Sequence, residues 1–414
     1  MTRSTLARAL ALLGLAAVLV ATLTPLPTQT ASSNRTAWWC LVCGEVGVVD
    51  VLQNVLLFMP LGLALRLLGW RTARTVLAGA MLSLSVELLQ RYVIVGRDPS
   101  LGDLLSNSVG AWAGAAVAGV LPLLLLPSAH AARRLAIGWG LCCLAALAGA
   151  ACAFRPYAPP EGPYFTLLAH RFPTRGHFLG TLASATLDRQ PLADAEVFAH
   201  QPLAAMLGAS EHRIAAELVT GPAPAQPAPI VQVVGQSNFV IAELNQHRAR
   251  LIYLPPADAA RLRFRRTAVK LDDALPITAG TSARVTGGLE GGALFVAVET
   301  AAGSRVERYP LTANLGWNLL TGFALKTAGP GPWLTACFVA LWCTPLLVWS
   351  RRGWGDRWVV PTAVAACIGA TLASRLAGLA WPPAWELVGY GVALLLSQLW
   401  RRVRLTTEML APAR

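Results

Sequence analysis

The chain has 414 residues, of which 55% are hydrophobic and only 13% are charged, and its mean hydropathy is +0.52. A soluble globular protein has about 25% charged residues, so this chain has too few to cover a water-exposed surface. The composition excludes an ordinary cytosolic domain and a disordered chain, and it indicates an integral membrane protein.

The net charge of +13 does not require a nucleic acid partner. Lys270 and Lys326 are the only lysines, and the arginines occur in short clusters between apolar runs. Clusters of this kind set the orientation of membrane helices, so we expect no DNA or RNA partner.

Apolar runs of about 20 residues match the thickness of a bilayer core and predict transmembrane helices. The sequence contains eight, at 7–24, 48–68, 74–94, 103–126, 135–153, 331–349, 358–379 and 385–400. We therefore expect about eight transmembrane helices, with the lipid bilayer as the first partner of the chain.

Basic residues cluster in every second connection between these runs. They are Arg3 and Arg8; Arg66, Arg71 and Arg74; Arg133 and Arg134; Arg351, Arg352 and Arg357; and Arg401, Arg402, Arg404 and Arg414. The positive-inside rule then predicts a multi-pass membrane protein with both termini in the cytoplasm. An alternative is a cleaved signal peptide over residues 1–30, because small residues follow the first run.

The segment between the fifth and sixth runs alternates apolar and polar residues, which is typical of strands. Strands are predicted at 213–219, 230–234, 239–244, 248–254, 261–271, 283–287, 293–299 and 304–309, with Gly-Gly pairs at 287 and 291 as turns. We expect an all-β sandwich at 155–328, outside the cytoplasm, between a membrane domain at 1–153 and further membrane helices at 331–402.

Polar residues interrupt the second to fourth helices in pairs that are three or four positions apart and so share a helix face. The pairs are Asp50 and Asn54, Glu87 and Gln90, and Asp103 and Asn107. The predicted topology places all six in the outer half of the membrane. Charged groups there need partners or a water-filled cavity, so we predict one polar cluster compensated by Arg97 or Arg91.

These residues also carry a family resemblance. The motifs are Asp50-xxx-Asn54-xx-Leu57-Phe58-x-Pro60-Leu61-Gly62, then Ser85-x-Glu87-xx-Gln90, then Gly96-Arg97-xx-Ser100-xx-Asp103-xxx-Asn107-xx-Gly110-xxx-Gly114. Over residues 11–121 they resemble the VanZ-like membrane family. The resemblance implies a bacterial plasma-membrane protein and an association with low-level resistance to teicoplanin, a glycopeptide antibiotic, but it supplies no biochemical activity.

The predicted strand order resembles the concanavalin A-like, laminin-G-type jelly roll over part of the chain. A Gly235-Gln-Ser-Asn-Phe239 hairpin and a late Gly291-Gly-Ala-Leu-Phe-Val296 strand carry this resemblance. It implies a lectin-like module, and some modules of this type hold calcium. Asp258, Asp272 and Asp273 are candidates for such a site, with solvated loop acids as the alternative.

Structural interpretations of the same residues stay open. The polar cluster is either a site or a lock that fixes helix packing. Ser100 or Asp103 is a candidate cap of the fourth helix, and Pro60 with Gly62 a helix kink. Cys40 and Cys43 have redox-type spacing, but a local disulfide or two inert thiols is favoured over a catalytic pair.

A run of arginines at Arg261, Arg263, Arg265 and Arg266 predicts a basic strand face for an anionic glycan or phospholipid, or else a solvated surface. The sequence contains no zinc-ligand spacing, phosphate loop, dinucleotide fingerprint or nucleophile elbow. We expect no metal and no cofactor, and no recognised catalytic motif argues for an enzyme.

Three functions remain. The favoured one is a non-enzymatic cell-envelope protein with an outward-facing polar cluster and a β-sandwich that binds peptidoglycan, polysaccharide or a surface protein. It includes a link to glycopeptide resistance or to wall or exopolysaccharide biogenesis. The second is an intramembrane enzyme or transporter acting on a lipid-linked wall precursor, with Glu87 as base or proton carrier and Arg97 on a phosphate. The third is a scaffold for an envelope export assembly.

Overall fold

A computed structural model describes residues 3–24, 37–94, 99–156, 163–169, 176–195, 197–198, 205–235, 240–275 and 279–409. The chain divides into two compact units. The first comprises Met1–Ser128 with Leu262–Phe264, and the second comprises Ala129–Arg261 and Arg265–Arg414.

The first unit contains four long helices. They are α1 (Arg3–Leu23), α2 (Gly47–Leu67), α3 (Thr72–Tyr92) and α4 (Leu101–Leu125). All four are long and apolar enough to cross a membrane. Ser100 caps α4, because its side chain accepts a hydrogen bond from the Asp103 N–H at 3.0 Å, which confirms one of the two predicted capping residues.

Helices α2 and α4 pack with their backbones in direct contact. A Cβ atom added to Gly114 would lie 2.0 Å from the Met59 carbonyl oxygen, and one added to Gly62 would lie 2.2 Å from the Ala111 carbonyl oxygen. A side chain at either position would force the helices apart. Glycines at Gly62 and Gly114 therefore allow the close approach of α2 and α4.

The short loop that contains Trp38, Cys40 and Cys43 forms hydrogen bonds with the first turn of α4. Cys40 and Cys43 form a disulfide, as the favoured interpretation of their spacing allowed. The Leu101 N–H donates to the Trp38 carbonyl at 2.7 Å, and the Gly102 N–H donates to the Cys40 carbonyl at 3.0 Å. The loop thus satisfies N–H groups that a helix leaves unpaired at its first turn.

The second unit begins with α5 (Ala129–Ala153) and ends with α8 (Gly331–Trp354), α9 (Val359–Leu376) and α10 (Ala384–Met409). Between them lie β-strands and short helices, among them α6 (Asp258–Arg261) and α7 (Asn318–Thr321). Helix α5 packs against α8 and α9, for example through a hydrogen bond of 2.8 Å from Trp139 Nε1 to the Trp342 carbonyl. The domain boundary at residue 153 stays a prediction.

The strands form two sheets. The seven-stranded sheet has the order β13-β9-β8-β7-β6-β1-β4, and the six-stranded sheet has the order β12-β11-β10-β5-β2-β3. In chain order the strands are β1 (Tyr164–Leu168), β2 (Thr181–Leu187), β3 (Gln190–Pro191), β4 (Val197–Phe198), β5 (His212–Val219), β6 (Ala228–Val234), β7 (Val240–His247), β8 (Arg250–Leu254), β9 (Ala268–Leu271), β10 (Ser282–Glu290), β11 (Ala293–Thr300), β12 (Gly303–Pro310) and β13 (Ala324–Leu325).

Neighbouring strands are antiparallel, except that β13 is parallel to β9. Strands β10 and β11 of one sheet contact β8 and β9 of the other, so the two sheets face each other. This arrangement is compatible with a β-sandwich. The narrower prediction of a concanavalin A-like jelly roll stays a prediction, and residues 236–239 of its Gly235–Phe239 hairpin lie outside the described residues.

One of the two Gly-Gly pairs predicted as turns lies inside a strand. Gly287 and Gly288 belong to β10. A Cβ on Gly287 would lie 2.5 Å from the Tyr253 ring of the facing sheet, so this position has no room for a side chain. The pair Gly291 and Gly292 does form the turn, with φ angles of 57° and 78°. Glycine was needed in β10 for close packing, a reason that the sequence pattern does not reveal.

The strand predicted at 261–271 is wrong over its first half. Arg261 ends α6, Arg263 has a φ of 58°, and β9 begins only at Ala268. The Arg265 N–H donates to the Leu319 carbonyl, and Arg266 Nη1 donates to the Ile241 carbonyl at 2.7 Å. The four arginines therefore do not form a basic strand face, because none of them lies in a strand.

Seven helices in the described residues are long and apolar enough to cross a membrane, and they match the first seven predicted spans. The eighth span, at 385–400, lies in α10. This helix contains Glu386, Arg401 and Arg402 and is not among the seven. Its crossing of the membrane stays a prediction.

Candidate functional site

Helix α3 carries one buried polar face. Ser83, Glu87 and Gln90 are four and three residues apart, so they lie on the same side of the helix. All three are buried, and the exposed fraction of Glu87 is 9%. This face places a carboxyl, a hydroxyl and an amide group inside the first unit.

Glu87 is held by the start of α4. Its Oε2 accepts the Ser100 N–H at 3.0 Å, just before α4 begins. Asp103, one turn into α4, is a like-charged neighbour of Glu87. The structure thus brings together two of the acidic residues that the sequence proposed for one cluster.

Asp103 also connects α4 to α2. Asn54 Nδ2 donates to Asp103 Oδ1 at 2.6 Å. Asp50 lies one turn before Asn54 on α2 and is partly buried. The Asn54 bond joins two helices, which is the packing role that the sequence left open for this residue.

The remaining amides bond to groups that the sequence did not single out. Asn107 Nδ2 donates to Ser83 Oγ at 2.9 Å, and Gln90 Nε2 donates to the Thr22 carbonyl of α1 at 2.9 Å. Ser85 belongs to the family motif, but its hydroxyl is exposed and bonds to the Met81 carbonyl of its own helix. The four-residue spacing of Ser83 and Glu87 is the sequence signal by which Ser83 could have been found.

Arg97, the predicted compensating cation, lies outside the described residues, together with Gly96. Its role in the cluster stays a prediction. The described residues form a network of side chains from α2, α3 and α4, with a backbone carbonyl of α1, in which Glu87 and Asp103 accept hydrogen bonds. The network can fix helix packing, and its carboxyl groups can hold a proton.

A second buried carboxylate lies in the second unit. Glu386, at the start of α10, has an exposed fraction of 1%. Thr312 Oγ1 and Asn314 Nδ2 both donate to it, the latter at 2.7 Å. No sequence motif marks Glu386, because its partners lie more than 70 residues away and follow β12.

A cavity of about 430 Å³ opens in the β domain. It is lined by residues of β2, β5, β10 and β11 and the turns that join them: Thr186, Asp188, Arg189, Glu211, His212, Arg213, Ala215, Arg284, Leu289, Glu290 and Phe295. Its volume falls in the range of about 300 to 1,000 Å³ that is usual for ligand sites. No sequence motif marked these residues, since they come from four separate strands.

Two of the three acidic residues considered for calcium have other partners. Asp272 forms ion pairs with Lys326 and with Arg250, and Asp258 forms one with Arg261. The neighbouring cations lower the pKa of Asp272, with the Lys326 hydrogen bond as the largest cause. Within the described part of the chain, no group of three or more His, Cys, Asp or Glu side chains is placed to hold a metal ion.

Comparison with known proteins bears on the first unit. Residues 9–124 match the model of the VanZ/LLP1 family, which spans α1 to α4 and all of the polar cluster. No curated protein and no solved structure matches the chain.

Proposed function

Because residues 9–124 form a VanZ-like domain, we propose that this protein is a membrane-anchored binding protein of the bacterial cell envelope. The VanZ-like helices hold the chain in the bilayer, and the β domain binds an envelope glycan. Membership of that domain family indicates a cell-envelope membrane protein.

The orientation follows from charge and redox chemistry. Basic residues cluster in every second connection, which puts the termini in the cytoplasm and the β domain outside the plasma membrane. The Cys40–Cys43 disulfide supports the same assignment, because disulfides persist in oxidising compartments and not in the cytoplasm.

The observation that carries the non-enzymatic assignment is the hydrogen bonding of the polar cluster. Glu87 accepts the Ser100 N–H and Asp103 accepts Asn54 Nδ2, so both carboxyl groups have partners from neighbouring helices. A carboxyl group that is bonded to a neighbouring helix has fewer acceptor positions left for a substrate. We therefore assign the cluster a structural role, in which it locks α2, α3 and α4 together.

The β domain carries the binding function in this proposal. It contains a cavity of ligand size with hydroxyl, charged and aromatic side chains at its wall. Such a mixture suits a sugar ring, which has polar edges and apolar faces.

The second candidate is an intramembrane enzyme or transporter for a lipid-linked wall precursor. It is favoured by the position of Glu87 and Asp103, because two neighbouring acidic groups within membrane helices are by default candidates for a functional site. Under this candidate, Glu87 is the base or proton carrier.

Substitution of Glu87 separates the two candidates. Wild type, Glu87→Gln and the control Ser85→Ala are expressed at matched membrane levels in a glycopeptide-susceptible bacterium, and susceptibility to a panel of cell-wall antibiotics is measured. We expect the wild type to shift susceptibility relative to empty vector, and both variants to retain the shift, because a glutamine can still accept the Ser100 hydrogen bond.

Loss of the shift in Glu87→Gln, with normal membrane levels and a normal Ser85→Ala, would favour the enzyme or transporter. A wild type that equals empty vector would contradict the link to glycopeptide resistance.

A further inference from the structure

The cavity of the β domain lies on the outer face of the six-stranded sheet. In β10 the odd-numbered residues face the other sheet, as the Gly287 contact with Tyr253 shows. Arg284, Thr286 and Gly288 therefore face outward, and the strand register places Ala215 opposite Thr286. Small side chains at the centre of this face leave the space that the cavity occupies.

An aromatic ring forms part of the cavity wall. A Cβ added to Gly288 would lie 2.7 Å from the ring of Phe295, so the ring rests against the strand where glycine leaves room. The guanidinium groups of Arg213 and Arg308 lie 5.5 Å and 5.3 Å from the centre of this ring. Both guanidinium groups are within cation–π distance of the ring.

The acidic residues of the wall already have partners. Asp188 Oδ1 accepts the Arg213 N–H at 2.7 Å, and Glu290 forms ion pairs with Arg308 at 3.0 Å and with Arg213 at 4.0 Å. Glu211 Oε1 accepts the Gly291 N–H at 3.4 Å. Each carboxylate keeps further acceptor positions, which can receive hydroxyl groups.

Two arginines of the cavity wall have no side-chain partner among the described residues. The side chains of Arg189 and Arg284 form no hydrogen bond or ion pair with any residue that the structure describes. Glu217 and Glu299 are the cross-strand neighbours of Arg284, yet neither forms an ion pair with it. The free donors of the cavity are therefore guanidinium groups, which suit a carboxylate.

Arg189 is also held in a strained backbone. It and Asp188 form the turn between β2 and β3 with φ angles of 74° and 48°, where glycine or asparagine is usual. Strain of this kind costs on the order of 1 kcal/mol or more per residue and is concentrated at functional sites. Here it places both side chains at the cavity wall.

We propose that this cavity binds an acidic saccharide, with Arg189 and Arg284 holding the sugar carboxylate and Asp188 and Glu211 accepting its hydroxyl groups. A bare anion would leave those acceptors unused and would be repelled by the three carboxylates. A neutral sugar would leave the two guanidinium groups unpaired. This inference rests on the proposed function and names the ligand class for its β domain.

Binding measurements on the full chain in lipid nanodiscs test the proposal. The probes are tetragalacturonate and a hyaluronan tetrasaccharide, their methyl esters, neutral chitotetraose and inorganic phosphate, each followed by titration calorimetry. The variants are Arg284→Gln and Arg189→Gly, since glycine tolerates the positive φ at that turn, with Arg261→Gln outside the cavity as the control.

We expect at least one acidic tetrasaccharide to bind the wild type. Its methyl ester should bind the wild type at least about tenfold more weakly. The acid should bind either cavity variant at least about tenfold more weakly as well, since each change removes a charge-assisted hydrogen bond. Arg261→Gln should bind as the wild type does.

The proposal is overturned if neither acid binds, if an ester binds as well as its acid, or if both cavity variants bind normally. Phosphate that competes as strongly as the saccharide would mark a simple anion site instead, which also overturns it. Binding of chitotetraose alone would overturn the acidic assignment while leaving the proposed envelope-glycan function intact. No binding of any saccharide would count against both.

Discussion

Two acidic side chains of this protein, the half-buried Asp103 and the buried Glu386, are paired with groups far away in the sequence. Asp103 receives a hydrogen bond from Asn54, and Glu386 receives bonds from Thr312 and Asn314. An unpaired buried carboxylate costs several kcal/mol, so each such residue must find donors in the folded chain. A sequence motif marks the acid, but only the fold identifies the donor.

His212 offers a test of this principle in the β domain. It is 2% exposed, and its Nε2 lies 2.7 Å from Tyr253 Oη. Burial lowers the pKa of His212 to about 4 from its ordinary 6.5, against a smaller opposite effect of a backbone hydrogen bond to Ala209. Burial also raises the pKa of Tyr253, so the tyrosine stays neutral.

The pH dependence of stability follows from that shift. Below pH 6.5 the unfolded chain takes up a proton at His212, whereas the folded chain does so only near pH 4, so protonation favours unfolding. We expect the free energy of unfolding to fall by about 2 kcal/mol between pH 7 and pH 4.5 on this account. Denaturant unfolding of the full chain in detergent, followed by tryptophan fluorescence, measures it.

The variant His212→Gln should reduce the loss of stability between these two pH values, because glutamine does not titrate. His177→Gln, at an exposed position, is the matched control and should retain the wild-type difference. An unchanged pH dependence in His212→Gln would show that other groups cause the acid effect.

At the scale of elements, the pairing of α2 with α4 depends on glycine. Gly114 leaves no space for a side chain, whereas a Cβ on Gly119 of the same helix would meet nothing within 4 Å. The two positions therefore differ in contact and not in helix propensity.

Gly114→Ala should destabilise the protein by about 1 to 3 kcal/mol, because the new methyl group overlaps the Met59 carbonyl and must push α2 away. Gly119→Ala should leave stability unchanged or raise it slightly, since alanine is the better helix former. Thermal unfolding in detergent compares the two. Equal melting temperatures would contradict direct backbone contact between these helices.

Prediction at this scale succeeded for helices more than for strands. The run at 48–68 became α2 at Gly47–Leu67, because a run of about twenty mostly apolar residues has the length and composition of a membrane-spanning helix. Strands β1 and β2 were not predicted, since short strands have weak patterns. In β10, Gly287 was misread as a turn because its contact with Tyr253 lies across the sandwich.

At the scale of the whole molecule, the proposed topology puts both termini in the cytoplasm and the β domain outside. Green fluorescent protein fused after Arg414 should fluoresce, because it folds in the cytoplasm. Alkaline phosphatase fused after Ala302, in the exposed turn between β11 and β12, should be active. The reciprocal fusions are the controls and should be inactive, and the opposite pattern would contradict the topology.

The sequence by itself determined the membrane class, the positions of seven helices long and apolar enough to cross a membrane, a strand-rich segment between the fifth and sixth of them, and the VanZ-like resemblance over residues 11–121, which the family match at 9–124 confirms. Each of these depends on local composition or on a motif of fixed spacing. The length of an apolar run and the period of a helix need no knowledge of the rest of the chain.

Only the tertiary structure decided which groups meet. The bonds from Asn54 to Asp103 and from Thr312 to Glu386, and the cavity wall shared by Asp188, Arg284 and Phe295, join residues that are tens of positions apart. Such contacts depend on strand register and helix packing, which many sequences satisfy in different ways. They carry the candidate functions of this protein, because chemistry needs groups that are close in space.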